Sequence, residues 1–191
     1  MPVDIFEQFS DEYEQWFIQH HDEYAQELSQ IKQVIGDISY PALEIGVGSG
    51  RFAEPLGIMH GIEPSYSLGL MAKERGIEVI RGRGESLPVK SHTYHMVVMI
   101  TVLCFLEKPE DTFQEVHRIL AHTGKLAVAF IERDGKIAHR YLSRPDKGRF
   151  LSQARFYSRD EAINVISTPG FTLISTDCRQ GFCTLLFQKR E

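Results

Sequence analysis

Two groups of residues in this chain have the type and spacing to do chemistry. In the segment ALEIGVGSGRF, Gly46, Gly48 and Gly50 alternate directly after a short apolar run that carries Glu44. Residues without Cβ atoms let a turn take positive φ and let a ligand lie against bare backbone. Glu63 stands 17 residues after Gly46, at the end of a second apolar run and just before Pro64 and Ser65. A carboxylate there can accept hydrogen bonds from both hydroxyls of a ribose. Arg51 occupies the position where a dinucleotide fingerprint wants a third small residue, which compromises a pyrophosphate loop. A ligand without phosphates fits better.

The elements that must hold these groups follow from periodicity. Tyr13, Trp16, Phe17, Tyr24, Leu28, Ile31, Val34 and Ile35 have helical spacing, and Gly36 stops the pattern. Residues 40–45 read as a strand, followed by the glycine turn and a short helix curtailed by Pro55. Further strands are predicted over 59–62, 77–81, 94–100 and 125–131. Between them lie a helix capped by Ser65 and ending near residue 75, and another over 109–120 with Pro109 in its first turn. Residues 132–156 show no period. Ser158 and Glu161 form a capping box for a helix to about residue 167, and two alternating strands close the chain around Gln180-Gly181.

Strands separated by helices imply right-handed crossovers and a parallel sheet. The expected fold is α/β, a doubly wound Rossmann-like, mostly parallel sheet of about seven strands with an antiparallel C-terminal hairpin strand and an N-terminal helical lid. Residues 1–191 read as one domain: a helical lid over 1–37, a cofactor-binding core over 38–131, a substrate-side cap or insertion over 132–157, and the C-terminal helix and hairpin over 158–191.

Composition narrows the function. A net charge of −5 counts against non-specific nucleic-acid binding. The longest apolar stretch, 96–106, is far short of the ~20 residues that span a bilayer, and the N-terminus lacks a signal-peptide pattern. Three cysteines without CxxC point to reduced, buried thiols and a cytoplasmic location, although Cys178 and Cys183 flank the hairpin turn and could meet. No metal-ligand spacing is present. Residues 1–30 hold eight acids and no Lys or Arg, whereas residues 131–160 hold eight bases against four acids. The two segments are either separate solvated faces or opposite walls of one cleft.

Taken in order, "LEIGVGSGRF", "GIEPS", "GRGESLPVKSHTYHMVVM" and "TVLCFLEKPEDTFQEVHRILAHTGKLAV" resemble the class I S-adenosylmethionine-dependent methyltransferases, within them the small single-domain (type 11-like) kind. The resemblance covers residues 40–131 well. It implies S-adenosyl-L-methionine as cofactor and S-adenosyl-L-homocysteine as product. It also implies that Glu44 holds the methionine amino end beside Gly46, Val47, Gly48 and Gly50, and that Glu63, with Pro64 and Ser65, takes the ribose. Gly84, Glu85 and Ser86 would border the adenine, and Thr101 and Val102 would pass beneath the cofactor. "DEYEQWF" is similar to the family's aromatic lid, so Tyr13, Trp16 and Phe17 would close over the site. The chain departs from the family pattern at Arg83, where an acid commonly meets the adenine amine, and at Tyr94-His95, where Phe-Asp is usual.

A sulfonium methyl donor needs positioning more than it needs a base. His20, His21, His139, Arg140, Tyr141 and Arg155 are the candidate helpers on the acceptor side, with His20, His139 and Tyr141 the catalytic candidates. No Asn/Asp-Pro-Pro-Tyr follows the fourth strand and no target-recognition domain fits, so a small-molecule acceptor is the expectation. The basic segment suggests an acceptor bearing carboxylate or phosphate. Two alternatives stay open: a non-catalytic cofactor-binding or regulatory module, and an NAD-type nucleotide enzyme. Oligomeric state is not fixed by the sequence.

Overall fold

A computed structural model describes residues 3–143 and 148–190 of the chain. Seven strands form one sheet: β1 (Ala42–Ile45), β2 (His60–Glu63), β3 (Glu78–Arg81), β4 (Tyr94–Ile100), β5 (Leu120–Ile131), β6 (Phe171–Arg179) and β7 (Phe182–Lys189). Their order is β3-β2-β1-β4-β5-β7-β6. β1 to β5 are parallel, and β7 runs antiparallel between β5 and β6. This is the expected doubly wound architecture. β1 and β4 are neighbours whose connections leave in opposite directions, so the crevice lies beyond their carboxyl ends.

The central strands carry the core on both faces. Along β4, Val97 and Met99 join Leu43, Ile45, Phe113, Val116 and Ile119 on one side of the sheet. Met96, Val98 and Ile100 join Ile31, Ile35, Val47 and Phe52 on the other. Eight α-helices are described: α1 (Val3–Gln8), α2 (Ser10–Gln19), α3 (His21–Ile35), α4 (Ala53–Leu56), α5 (Tyr66–Glu74), α6 (Pro109–Ile119), α7 (Lys136–Leu142) and α8 (Arg159–Ser167). The capping box at Ser158 and Glu161 forms as read. The single helix expected from Tyr13 to Ile35 is instead two, joined at His20, whose non-helical φ of −117° and ψ of 39° break the run. The break lets α3 pack against β6 and β7 as a layer of the fold while α1 and α2 turn over the crevice. The predicted cap over 132–157 contains α7 and a 3-10 turn at Leu151–Gln153.

One expectation about cysteine is overturned. Cys178 and Cys183 form a disulfide, and only Cys104 is free. The two-residue turn at Gln180-Gly181 sets Cys178 directly opposite Cys183, with Cα atoms 4.1 Å apart. The two cysteines form the non-hydrogen-bonded pair next to the turn, the pairing in which side chains come closer. Among the described residues, no helix is long and apolar enough to cross a membrane.

Candidate cofactor and acceptor site

The glycine turn is built where β1 meets the crevice. Gly46 has φ +70°, and a Cβ there would stand 2.4 Å from Val102 Cγ2, so both conformation and packing demand a bare residue. The turn is tied to the end of the neighbouring strand: Gly46 N and Val47 N both donate to the Ile62 carbonyl, at 2.8 and 3.1 Å. The next residue, Glu63, closes the link. Its Oε2 accepts from Gly48 N at 2.8 Å and its Oε1 from Ser65 N at 2.9 Å. The turn and the carboxylate therefore occupy one corner. Burial lifts Glu63 to about 7, against the lowering effect of those two N–H donors.

Glu44 is buried within β1, with Oε2 lacking any hydrogen-bond partner. Burial, reinforced by the nearby charge of Glu63, raises its pKa well above the carboxylate range. Tyr13 reaches in from α2, and a Cβ on Gly48 would lie 3.1 Å from its hydroxyl. Burial first, then Glu63, Glu44, Glu14 and Glu27, raise the phenol's pKa. Thr101, directly after β4, has φ +54°, a left-handed conformation costly for a β-branched residue. Strain of that kind gathers at functional sites.

Lid and core are held together by acids of the N-terminal arm. Glu7 accepts from Ser65 Oγ at 2.6 Å and from Ser67 N and Oγ at 3.1 and 2.9 Å, which fastens α1 over the first turn of α5. Ser65 at the same time caps α5 by accepting from Leu68 N. Glu14 Oε2 accepts from Arg51 Nε and Nη2 at 3.1 and 2.7 Å and from Arg75 Nη2 at 2.8 Å. Burial raises the Glu14 pKa, but the bond from Arg51 and the charge of Arg75 outweigh it and lower the carboxyl overall. Arg51, the residue that spoils a dinucleotide loop, is thus one half of a latch to the lid.

Under the lid lies a cavity of 320 Å³. The end at the glycine turn is lined by Gly46, Gly48, Glu63, Thr101 and Val102, and Tyr13, Trp16 and Phe17 line it from α2. The far end is lined by His20, Glu23, Glu27, Ile137, Arg140 and Tyr141. His20 stacks on Trp16 with ring centroids 5.0 Å apart, and its Nδ1 lies 3.0 Å from the Trp16 carbonyl. A carbonyl only accepts, so Nδ1 carries a proton and Nε2 is the ring nitrogen left for another partner.

Several candidates stand elsewhere. Val47 packs its side chain on Gly61, and Gly50 faces Ile77 and Ala72, because the turn must also seat against β2 and α5. Pro64, Ser65, Gly84, Glu85 and Ser86 lie outside the cavity, as does buried Glu44; Gly84 sits against Thr112 of α6. Glu85 keeps a buried Oε1 without a partner. Arg83 points outward, with Nη1 3.6 Å from Glu107, and His95 is exposed near the amino end of β4. His139 is exposed and does not reach the cavity, since α7 turns Arg140 and Tyr141 inward instead. His21 lies exposed beside Asp22, and Arg155 lies over Tyr157 at 4.9 Å.

The acidic arm and the basic segment do meet. Arg140 Nη2 lies 3.3 Å from Glu23 Oε2, and Arg149 Nε lies 3.1 Å from Glu12 Oε2. Arg149 also covers the Phe9 ring at 3.8 Å. Arg144 and Lys147 of the basic segment lie outside the described residues. The sequence reading missed Phe6, Phe105 and Phe150, which pack together at 5.2 and 5.3 Å and close the cavity's other flank. It also missed Glu23 and Glu27. Only the charge asymmetry of the two segments hinted at them.

A parallel sheet of this order, with bare backbone after β1 and a carboxylate ending β2 at the same corner, defines a Rossmann-like nucleoside-binding site. Comparison with known proteins agrees. A family model described as a methyltransferase domain matches residues 43–128. The uncharacterized protein MJ1123 of Methanocaldococcus jannaschii is 34% identical over 169 residues, covering 88% of this chain and 82% of that protein. Rv2003c of Mycobacterium tuberculosis is 36% identical over 81% of this chain, which spans only 54% of that relative's length. In structure the chain is similar to an S-adenosylmethionine-dependent methyltransferase of Thermotoga maritima, with TM-score 0.91 and 32% identity over 98% of this chain and 99% of the other. The chain belongs to the S-adenosylmethionine-dependent methyltransferases, and its cofactor is S-adenosylmethionine.

The residues present suit that cofactor. The turn offers bare backbone to the cavity, where a Cβ on Gly46 or Gly48 would fill the cradle, and the Glu63 carboxylate lies at the same corner.

Proposed function

We propose that this chain transfers a methyl group from S-adenosylmethionine to a small-molecule acceptor bound under the α1–α2 lid. The observation that carries the reading is the cavity itself. It runs from the glycine turn and Glu63 to a separate, chemically varied end at His20, Glu27 and Tyr141. The Thermotoga relative, described as a possible histamine N-methyltransferase, supports an acceptor of that size.

In this reading Glu63 holds the ribose hydroxyls on lone pairs left free by Gly48 and Ser65, and Gly46, Val47 and Gly48 offer their backbone to the methionine portion. Glu44 draws on the amino end from below. Glu85 replaces the missing acid at the adenine, which explains how Arg83 can turn away. When bound, the cofactor supplies an already activated sulfonium methyl. The protein's part is alignment and exclusion of water: Tyr13, Trp16 and Phe17 close the roof, and Thr101 and Val102 form the floor. His20, with Nδ1 turned to the Trp16 carbonyl, leaves Nε2 for a polar contact with the acceptor.

Thermal unfolding with S-adenosylhomocysteine tests this directly. Product at 100 times its dissociation constant stabilises by about 2.7 kcal/mol, on the order of 5–10 °C in Tm for a domain this size. Glu63→Ala should remove most of that shift. A shift with NAD and none with S-adenosylhomocysteine would overturn the reading.

A further inference from the structure

Among the described residues, the far end of the cavity holds a carboxylate, Glu27, with no ion-pair partner. Glu23 is paired with Arg140, and Glu12 with Arg149, so the arginines there are already engaged. Glu27, one turn along α3 from Glu23, lines the same cavity and has no hydrogen bond or ion pair among the described residues. A groove of 680 Å³ adjoins it, and Glu23, Glu27, Ile137 and Arg140 line both spaces. The half-exposed Arg140–Glu23 pair and Glu27 therefore stand together where the two spaces adjoin.

We propose that Glu27 is the acceptor-recognition residue and that the acceptor is a small amine, its ammonium held by the Glu27 carboxylate and its apolar body packed against Trp16, Ile137 and Tyr141. This rests on the methyl-transfer reading above and narrows it. An unpaired carboxylate in a mostly apolar cavity is costly, and an incoming cation offsets the cost, whereas an anion would add to it. Of the basic segment that suggested an anionic acceptor, Arg140 and Arg149, which line the cavity, are already paired with acids of the N-terminal arm.

The groups facing Glu27 are Glu23 on its own helix, Tyr13 and His20 from the α2 side, Lys136 and Arg140 on α7, and Arg179 at the end of β6. Burial, with Glu23 adding to it, raises Glu27 to about 8. An alkylammonium near ~10.4 then lies about two pKa units above its acceptor instead of about six. In the transfer an N–H bond breaks, a Glu27 oxygen gains the proton and becomes a carboxylic acid, and the electron pair stays on nitrogen, free to attack a methyl carbon. The proton then leaves to solvent by the groove.

Calorimetric titration of the protein saturated with S-adenosylhomocysteine, using 2-phenylethylamine, 2-phenylethanol and phenylacetate, reads this without turnover. The amine should bind at least about tenfold more tightly than either isostere, with affinity rising with pH as Glu27 ionises. Run at pH 7 in two buffers of different ionisation heat, amine binding should release close to one proton, because Glu27 is then mostly protonated. Glu27→Gln should cut amine affinity about tenfold and abolish the proton release, while product affinity stays within about twofold. The variant should also be the more stable form above pH 8. A carboxyl raised in the folded state costs stability progressively as pH climbs from its ordinary 4.5 through about 8, and Gln escapes that cost. Phenylacetate or the alcohol binding as well as the amine, or Glu27→Gln leaving amine binding and proton release unchanged, would overturn the proposal. Failure of the wild-type protein to bind S-adenosylhomocysteine would instead sink the methyl-transfer reading.

Discussion

The two ends of the cavity are made in different ways. The glycine-turn end is a backbone structure: residues 44–65 supply the turn, the carboxylate and the helix cap, and four main-chain N–H groups, those of Gly46, Val47, Gly48 and Ser65, tie them into one corner. The far end is a side-chain structure, gathered from α2, α3, the end of β5, α7 and residues 148–151. Its cross-links are ion pairs between segments more than a hundred residues apart, such as Glu23–Arg140. Backbone corners tolerate almost no substitution because conformation and packing are used together. Side-chain walls can change one member while the rest stay, which is how one fold accommodates different acceptors.

That contrast can be broken by mutation. The largest effect should come from Gly46→Ala. The left-handed φ and the encounter with Val102 together cost about 2–5 kcal/mol, read from denaturant midpoints, with cofactor binding lost alongside. An unchanged midpoint would mean the turn is not the rigid corner described here. Glu14→Gln comes next. It leaves the Arg51 and Arg75 guanidinium groups without their shared carboxylate, and should cost about 2 kcal/mol and loosen the lid, seen as faster amide exchange in α2. Protection of α2 equal to wild type would show that aromatic packing alone holds the lid. The smallest effect belongs to Arg149→Ala. Its pair with Glu12 is about half exposed on both sides, so a stability loss of roughly 1 kcal/mol or less is expected, much of it from contact with Phe9. A loss as large as that of Gly46→Ala would erase the distinction between the two ends.

How much of this could be read in advance follows the same division. β4 was legible to the residue, since a run apolar enough for burial on both faces has one reading in a parallel sheet. The α5 cap at Ser65 and the capping box at Ser158 were legible because each is a local bond. The split at His20 was not: the hydrophobic spacing passes through the break unchanged, and only the sheet edge that α3 seats on turns the chain there. Cys178 and Cys183 were a matter of register, settled by the two-residue turn that sets them face to face.

By itself, then, the sequence determined the order of strands and helices, the glycine turn and the carboxylate one crossover later, all properties carried within a few neighbouring residues. Only the tertiary structure decided that Arg51 is a lid latch, that His139 looks away while His20 looks in, and that Glu27 has no ion-pair partner among the described residues. Those outcomes depend on which charges meet across the closed crevice, and burial gives such meetings an energy that no local pattern encodes.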